Sequence, residues 1–142
     1  MALAAVLATG TVAVLSVQSA AASDKDRVSG DLTSPAEGNP FGGDDVGDYS
    51  IVTAGHKTVV RAQADIEPSN GRVLEGWFVD MGTGYKLSLG QFRDNGSLSF
   101  EQNIVSPHTY KVIVVTEEPA NDLDPNPATP VGGAELPSPF GQ

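Results

Sequence analysis

The chain has 142 residues, 18 acidic against 8 basic, and a formal net charge of -10. That length fits one ordinary domain, and 16 Gly and 10 Pro beside 6% aromatics describe a modest core joined to irregular segments. The lack of cysteine excludes disulfide frameworks, thiolate metal sites, cysteine nucleophiles and lipidated cysteines, while the acidic balance argues against nucleic acid and anionic lipid, which select a basic surface.

Residues 2–17 carry no charge, and Ala20 with Ala22 supplies an A-x-A-like cleavage pattern before Asp24-Lys25-Asp26-Arg27. Residues 1–22 therefore read as a secretory signal. If retained, the same run is either a short anchor, below the ~20 apolar residues of a full span, or an apolar helix packed inside a surface filament. Residues 23–48 are rich in Asp, Gly, Ser and Pro, offer little to bury, and predict a flexible acidic linker. Carboxylates in such a tether, here Asp44, Asp45 and Asp48, are usually solvated rather than cation-bound.

The packed part is expected over residues 49–131. Tyr49-Ser50-Ile51-Val52 predicts a short strand, and residues 57–66 a longer one with Val60, Ala62, Ala64 and Ile66 on one face and Arg61, Gln63 and Asp65 on the other. Pro68-Ser69-Asn70-Gly71 supplies a tight turn into Val73-Leu74-Glu75-Gly76-Trp77-Phe78-Val79. Large apolar groups point both ways from Trp77, Phe78 and Val79, which predicts a middle strand buried on two faces, and Gly76 marks a bulge or a close backbone approach. Tyr85, Leu87 and Leu89 share a face, and a bulge at Gly90-Gln91 would bring Phe92 back into phase. Asp94-Asn95-Gly96 predicts a hairpin, so that the strands from Val73 to Val115 form a meander. Asn95-Gly96-Ser97 is also a glycosylation acceptor pattern on an exposed tip, with Asn95 as its acceptor, or simply a turn.

After the strand that begins at Tyr110 come Glu117-Glu118-Pro119 and a Pro-rich run that suits a loop or an edge. Asp122, Asp124 and Asn126 repeat the opening of a calcium loop and are the candidate Ca²⁺ ligands, but Pro127 stands where that loop needs Gly and its bidentate Glu is missing. No other cofactor is expected. Residues 132–142 predict a disordered tail.

Several of these runs resemble the extracytoplasmic C-terminal domain of the anti-sigma-K factor family: Leu74-Glu75-Gly76-Trp77-Phe78-Val79, Lys86-Leu87-Ser88-Leu89-Gly90-Gln91-Phe92, the strand leading to Glu118-Pro119, and Pro127-Ala128-Thr129-Pro130-Val131. The resemblance covers residues 73–131 and implies an antiparallel β-sandwich outside the membrane. Members of that family regulate transcription through a cytoplasmic sigma-binding region, often with a His/Cys zinc motif, joined to a membrane helix. This chain has no cysteine for such a motif.

An enzyme needs a convergent acid, base or nucleophile. His56 and His108 fall in predicted turns, no G-x-S-x-G motif surrounds any serine, and Glu75 with Glu117 and Glu118 is the one carboxylate set to consider. No catalytic residue is assigned. The expectation is an all-β, antiparallel Ig-like sandwich of six to seven strands, preceded by the apolar segment and the acidic linker. It is secreted or surface-tethered, non-enzymatic, and contacts another envelope or extracellular protein, or itself, through strand edges. The structural alternative is a subunit of an extracellular filament or surface layer. Nucleic acid is not an expected partner, and a membrane is one only with the apolar segment retained.

Overall fold

A computed structural model describes residues 25–121 and 127–141. The segment 1–22 and the candidate Ca²⁺ ligands Asp122, Asp124 and Asn126 lie outside the described residues. Eight antiparallel strands run in chain order: β1 (Lys25–Thr33), β2 (Asp45–Ala54), β3 (Lys57–Ala64), β4 (Arg72–Val79), β5 (Lys86–Gln91), β6 (Ser97–Asn103), β7 (Val112–Pro119) and β8 (Thr129–Glu135). They form one sheet in the order β5-β4-β7-β8-β1-β2-β3-β6.

The all-β, antiparallel expectation holds, but the strands are eight and belong to a single, nearly closed barrel-like sheet rather than to two separate ones. β8 and β1 meet at one bridge, Thr33 opposite Gly133, so the sheet divides into a β1-β2-β3-β6 half and a β5-β4-β7-β8 half. Their inner faces enclose one core. Leu32, Ile51, Val60 and Leu98 come from the first half, and Phe78, Leu89, Ile113 and Val115 from the second. Each such burial contributes ~1.5–3 kcal/mol before the entropy of ordering is subtracted. Gly76 lets the halves approach: a Cβ there would stand 3.1 Å from Leu98 Cδ1.

Four further expectations change. Residues 25–33, read as flexible linker, form β1, which pairs along its length with β2 from Lys25 opposite Ala54 to Leu32 opposite Gly47. Their signal is weak because the inward row is Val28, Gly30 and Leu32, and Gly30 leaves its place to the Tyr49 ring, whose Oη is 3.0 Å from where a Cβ would be. The expected disordered tail instead completes β8 and buries Leu136 and Phe140, with the Phe140 ring 6.4 Å from that of Phe78.

The meander is also corrected. β4 and β5 do form a hairpin, but β3 pairs with β2 and β6, and β5 and β6 share no ladder. The turn at Asp94-Asn95-Gly96 closes locally, with the Gly96 N–H donating to the Arg93 carbonyl. Its outgoing strand is captured by β3: the Ala64 N–H bonds the Gly96 carbonyl at 2.8 Å, and the Gln63 side chain bonds the Asn95 carbonyl at 2.9 Å. A hairpin sequence thus serves as a corner between the halves. The β5 bulge falls one residue earlier than expected, because Gly76 faces Gly90 while Trp77 faces Ser88, leaving Leu89 as the additional residue. That shift puts Leu89 and Phe92 together in the core, whereas Tyr85 is 58% exposed.

Candidate functional site

β4 and β7 are buried on both faces. Phe78 and Ile113 point into the core, and on the outer face Trp77 is opposite Val114, with Val112, Thr116 and Glu118 following along β7. Thr116 and Glu118 are buried. A buried carboxylate is costly unless hydrogen bonds replace its water, and here they form a chain. Trp77 Nε1–H donates to Thr116 Oγ1 at 2.9 Å, the Thr116 hydroxyl donates to Glu118 Oε2, and the Ala128 N–H donates to the same oxygen at 2.8 Å. Glu118 therefore clasps the end of β7 to the residues that lead into β8. Glu118-Pro119 and Pro127-Ala128 are two of the short motifs singled out in the sequence, and this carboxylate joins them in space. Thr116 was not anticipated; its signal is the row Val112, Val114, Thr116, Glu118 opposite the single Trp.

The candidate carboxylates do not converge into an acid–base pair. Glu75 accepts from Ser88 Oγ at 2.6 Å, Glu117 stands 3.7 Å from Arg72, and Glu118 is committed to the clasp.

The ends of the sheet carry the second feature. β5 and β6 are each paired on one side, by β4 and β3, and their free edges face one another across the barrel's unfinished seam. At one end of the seam an open cleft of about 550 Å³ is lined by residues 63–68, 72–74 and 92–96. Leu74 and Phe92 form its apolar floor, Arg72 and Arg93 are exposed in its walls, and Asp65, Glu67 and Asp94 are exposed beside them. Such a groove offers main-chain pairing, an apolar seat and charges of both signs, which suits an extended peptide better than a small polar molecule.

At the opposite end, His56 and His108 line one shallow hollow of about 350 Å³ with Val105 and Pro107 between them. His108 Nε2 is 3.2 Å from Asp26 Oδ2, off the hydrogen-bonding direction, and its ring meets Phe140 edge-on at 5.1 Å. Sequence alone could not bring these loops together. Even so, no three His, Asp or Glu side chains among the described residues gather as a metal site. Nearby, Asp80 Oδ1 accepts the Gly82 N–H at 2.9 Å and the Thr83 N–H at 3.3 Å. The bond from Gly82, with that from the Thr83 side chain, holds its carboxyl below the usual range. The hydrogen bond and charge of Lys57 do the same for Glu101.

Asn95 is exposed at the corner, with Oδ1 accepting from the Ser97 N–H at 3.0 Å and the Ser97 hydroxyl at 2.7 Å. The side chain thus builds the turn that the sequence predicts.

No curated protein and no solved structure matches the chain. A family match is found, over residues 1–132, to the family described as "Anti-sigma-K factor rskA, C-terminal".

Proposed function

The chain belongs to the anti-sigma-K factor family, matching that family's C-terminal region over residues 1–132, and on that premise we propose that it is a non-enzymatic, extracytoplasmic interaction domain. Its task is to receive a segment of another envelope protein along the free β5 and β6 edges. The carrying observation is the unfinished seam: two strands that each leave one side unpaired, beside a cleft with an apolar floor and arginine walls. Unpaired strand edges are templates for an added strand, and a family built for regulation by protein contact supplies the reason to keep them. Binding there would be read by the sheet as a change at β4, which lies next to β5 and carries Trp77 on its far face.

Site-specific photocrosslinking in the producing cell tests this reading. Crosslinkers at Gln91 on β5 and Ser99 on β6, towards the cleft end of the seam, are expected to trap one discrete envelope partner, while those at Ser29 on β1 and Asp48 on β2 trap none. Equal yields at all four positions, or no adduct at either edge, would reject the assignment.

A further inference from the structure

The net charge conceals a strong asymmetry. All four lysines stand at one end of the barrel: Lys25 opens β1, Lys57 opens β3, Lys86 opens β5, and Lys111 directly precedes β7. The ladders and loops confirm that these starts share an end. Lys25 is opposite Ala54 at the β2–β3 turn, the Ile104 N–H bonds the His56 carbonyl, the Lys111 N–H bonds the Val79 carbonyl, and His108 reaches Asp26. Among the described side chains, Arg27, Lys57, Lys86 and Lys111 stand at this end with four carboxylates, Asp26, Asp80, Glu101 and Glu135. Away from this end the described residues hold only Arg61, Arg72 and Arg93 as cations against most of the chain's acids. The molecule is therefore an electrical dipole, with a near-neutral end and a strongly negative one.

The same end bears the apolar exposure. Val105 is 80% exposed, Met81 62% and Tyr85 58%, and these are the exposed large hydrophobic side chains among the described residues. Singly such residues are ordinary. Here Met81 and Tyr85 share the β4–β5 turn, and Val105 lies on the loop after β6 beside His56 and His108. An aromatic tip and two other apolar ones at the end where the lysines stand match the chemistry of a bilayer interface, where aromatic rings sit at headgroup level and Lys attracts anionic lipid.

We propose that this end of the barrel lies on an anionic lipid surface, with Met81, Tyr85 and Val105 at the headgroup level and Lys86 and Lys111 among the phosphates. The proposal rests on the extracytoplasmic reading above. The uncharged run of residues 2–17 adds a distance argument: seven residues separate it from Lys25, and an extended chain spans at most ~3.6 Å per residue, about 25 Å in all. With that run held in a bilayer, the lysine end is kept close enough for its field to act, and the acidic end is repelled outward. The edge cleft, lined by residues 63–68 and 92–96 at the far end, is thereby presented away from the membrane.

The cysteine-free chain makes the test direct. The full chain carrying Met81→Cys, Val105→Cys or Asn70→Cys is labelled with an environment-sensitive fluorophore. It is then reconstituted with vesicles of phosphatidylcholine, alone or mixed with phosphatidylglycerol, containing a headgroup-level quencher. Labels at 81 and 105 are expected to shift to the blue and be quenched more than the label at 70. That contrast should grow with phosphatidylglycerol and shrink with added salt. Equal quenching at all three sites, or a contrast indifferent to phosphatidylglycerol, overturns the proposal. The readout involves no protein partner, so its failure leaves the edge crosslinks untouched, and theirs leaves it untouched.

Discussion

The two halves of the barrel solve burial differently. In the β1-β2-β3-β6 half the strands alternate: Leu32, Ile51, Val60 and Leu98 point inward, while Ser29, Asp48, Arg61 and Ser99 are exposed. In the other half, Trp77, Val112, Thr116 and Glu118 are buried on the outer face as well, and Glu118 holds the Ala128 N–H there. One half relies on a single core, and the other adds a polar clasp on its back. Two-faced burial in a small domain marks where a returning segment has been fastened down.

The sharpest way to break this comparison is to remove the outer face of each half in turn. Trp77→Ala loses a large buried ring and the donor to Thr116, and should cost ~3–5 kcal/mol, enough to unfold much of a marginal domain. Ser99→Ala, on the outer face of β6, should stay within ~0.5 kcal/mol. Urea titrations followed by far-UV circular dichroism measure both. Equal midpoints would show that the back of β4 is not a second core.

A finer cut separates the clasp from the packing around it. Glu118→Leu keeps an apolar side chain of similar reach but removes both acceptor oxygens, in a place where the Thr116 hydroxyl and the Ala128 N–H share one of them. It should cost ~1–3 kcal/mol. The loss should be local, so hydrogen exchange at the Ala128 amide should accelerate more than at Val60 in the other half. Uniform acceleration would mean that Glu118 supports the whole barrel rather than this fastening.

The same contrast explains what the sequence could disclose. Two-sided burial around Trp77 and Phe78, the face of Val60, Ala62 and Ala64, and a bulge near Gly90 were legible because large side chains or a phase break announce them. β1 was not, since its inward row is interrupted by Gly30 and its outward row is charged; a ladder with β2 and the Tyr49 ring supply what its own residues lack. The tail is hidden for a similar reason. Phe140 and Leu136 are few, but Phe140 reaches the Phe78 ring and both join a core that only the assembled sheet creates. The pairing of β6 with β3 was hidden because a turn sequence fixes four residues and says nothing about which strand will capture the one that leaves. Of the candidate site, the family motifs around Glu118 and Ala128 could be read, but the hydrogen bonds joining them depend on Thr116, an unremarkable residue in one dimension.

A final, smaller effect compares the halves through their buried phenols. Tyr49 belongs to β2, and Tyr110 precedes β7 and stacks on Phe78 with ring centres 5.3 Å apart. Burial raises both phenol pKa values above the ordinary 10.0. The Asp31 charge adds to the shift at Tyr49, and Tyr85 and Asp80 add to it at Tyr110. Above pH 10 the unfolded chain releases these protons while the folded chain still holds them, so the folded state binds more protons and stability falls as pH rises. The loss begins at the unfolded value and ends once the folded phenols ionise. Tyr49→Phe and Tyr110→Phe should each flatten part of the alkaline limb in a plot of unfolding free energy against pH. If Tyr110→Phe alone flattened it, the alkaline limb would report the clasped half, and the one-sided half would owe nothing to its phenol. Two comparable contributions are expected instead, because each ring is sealed in the one core that both halves share.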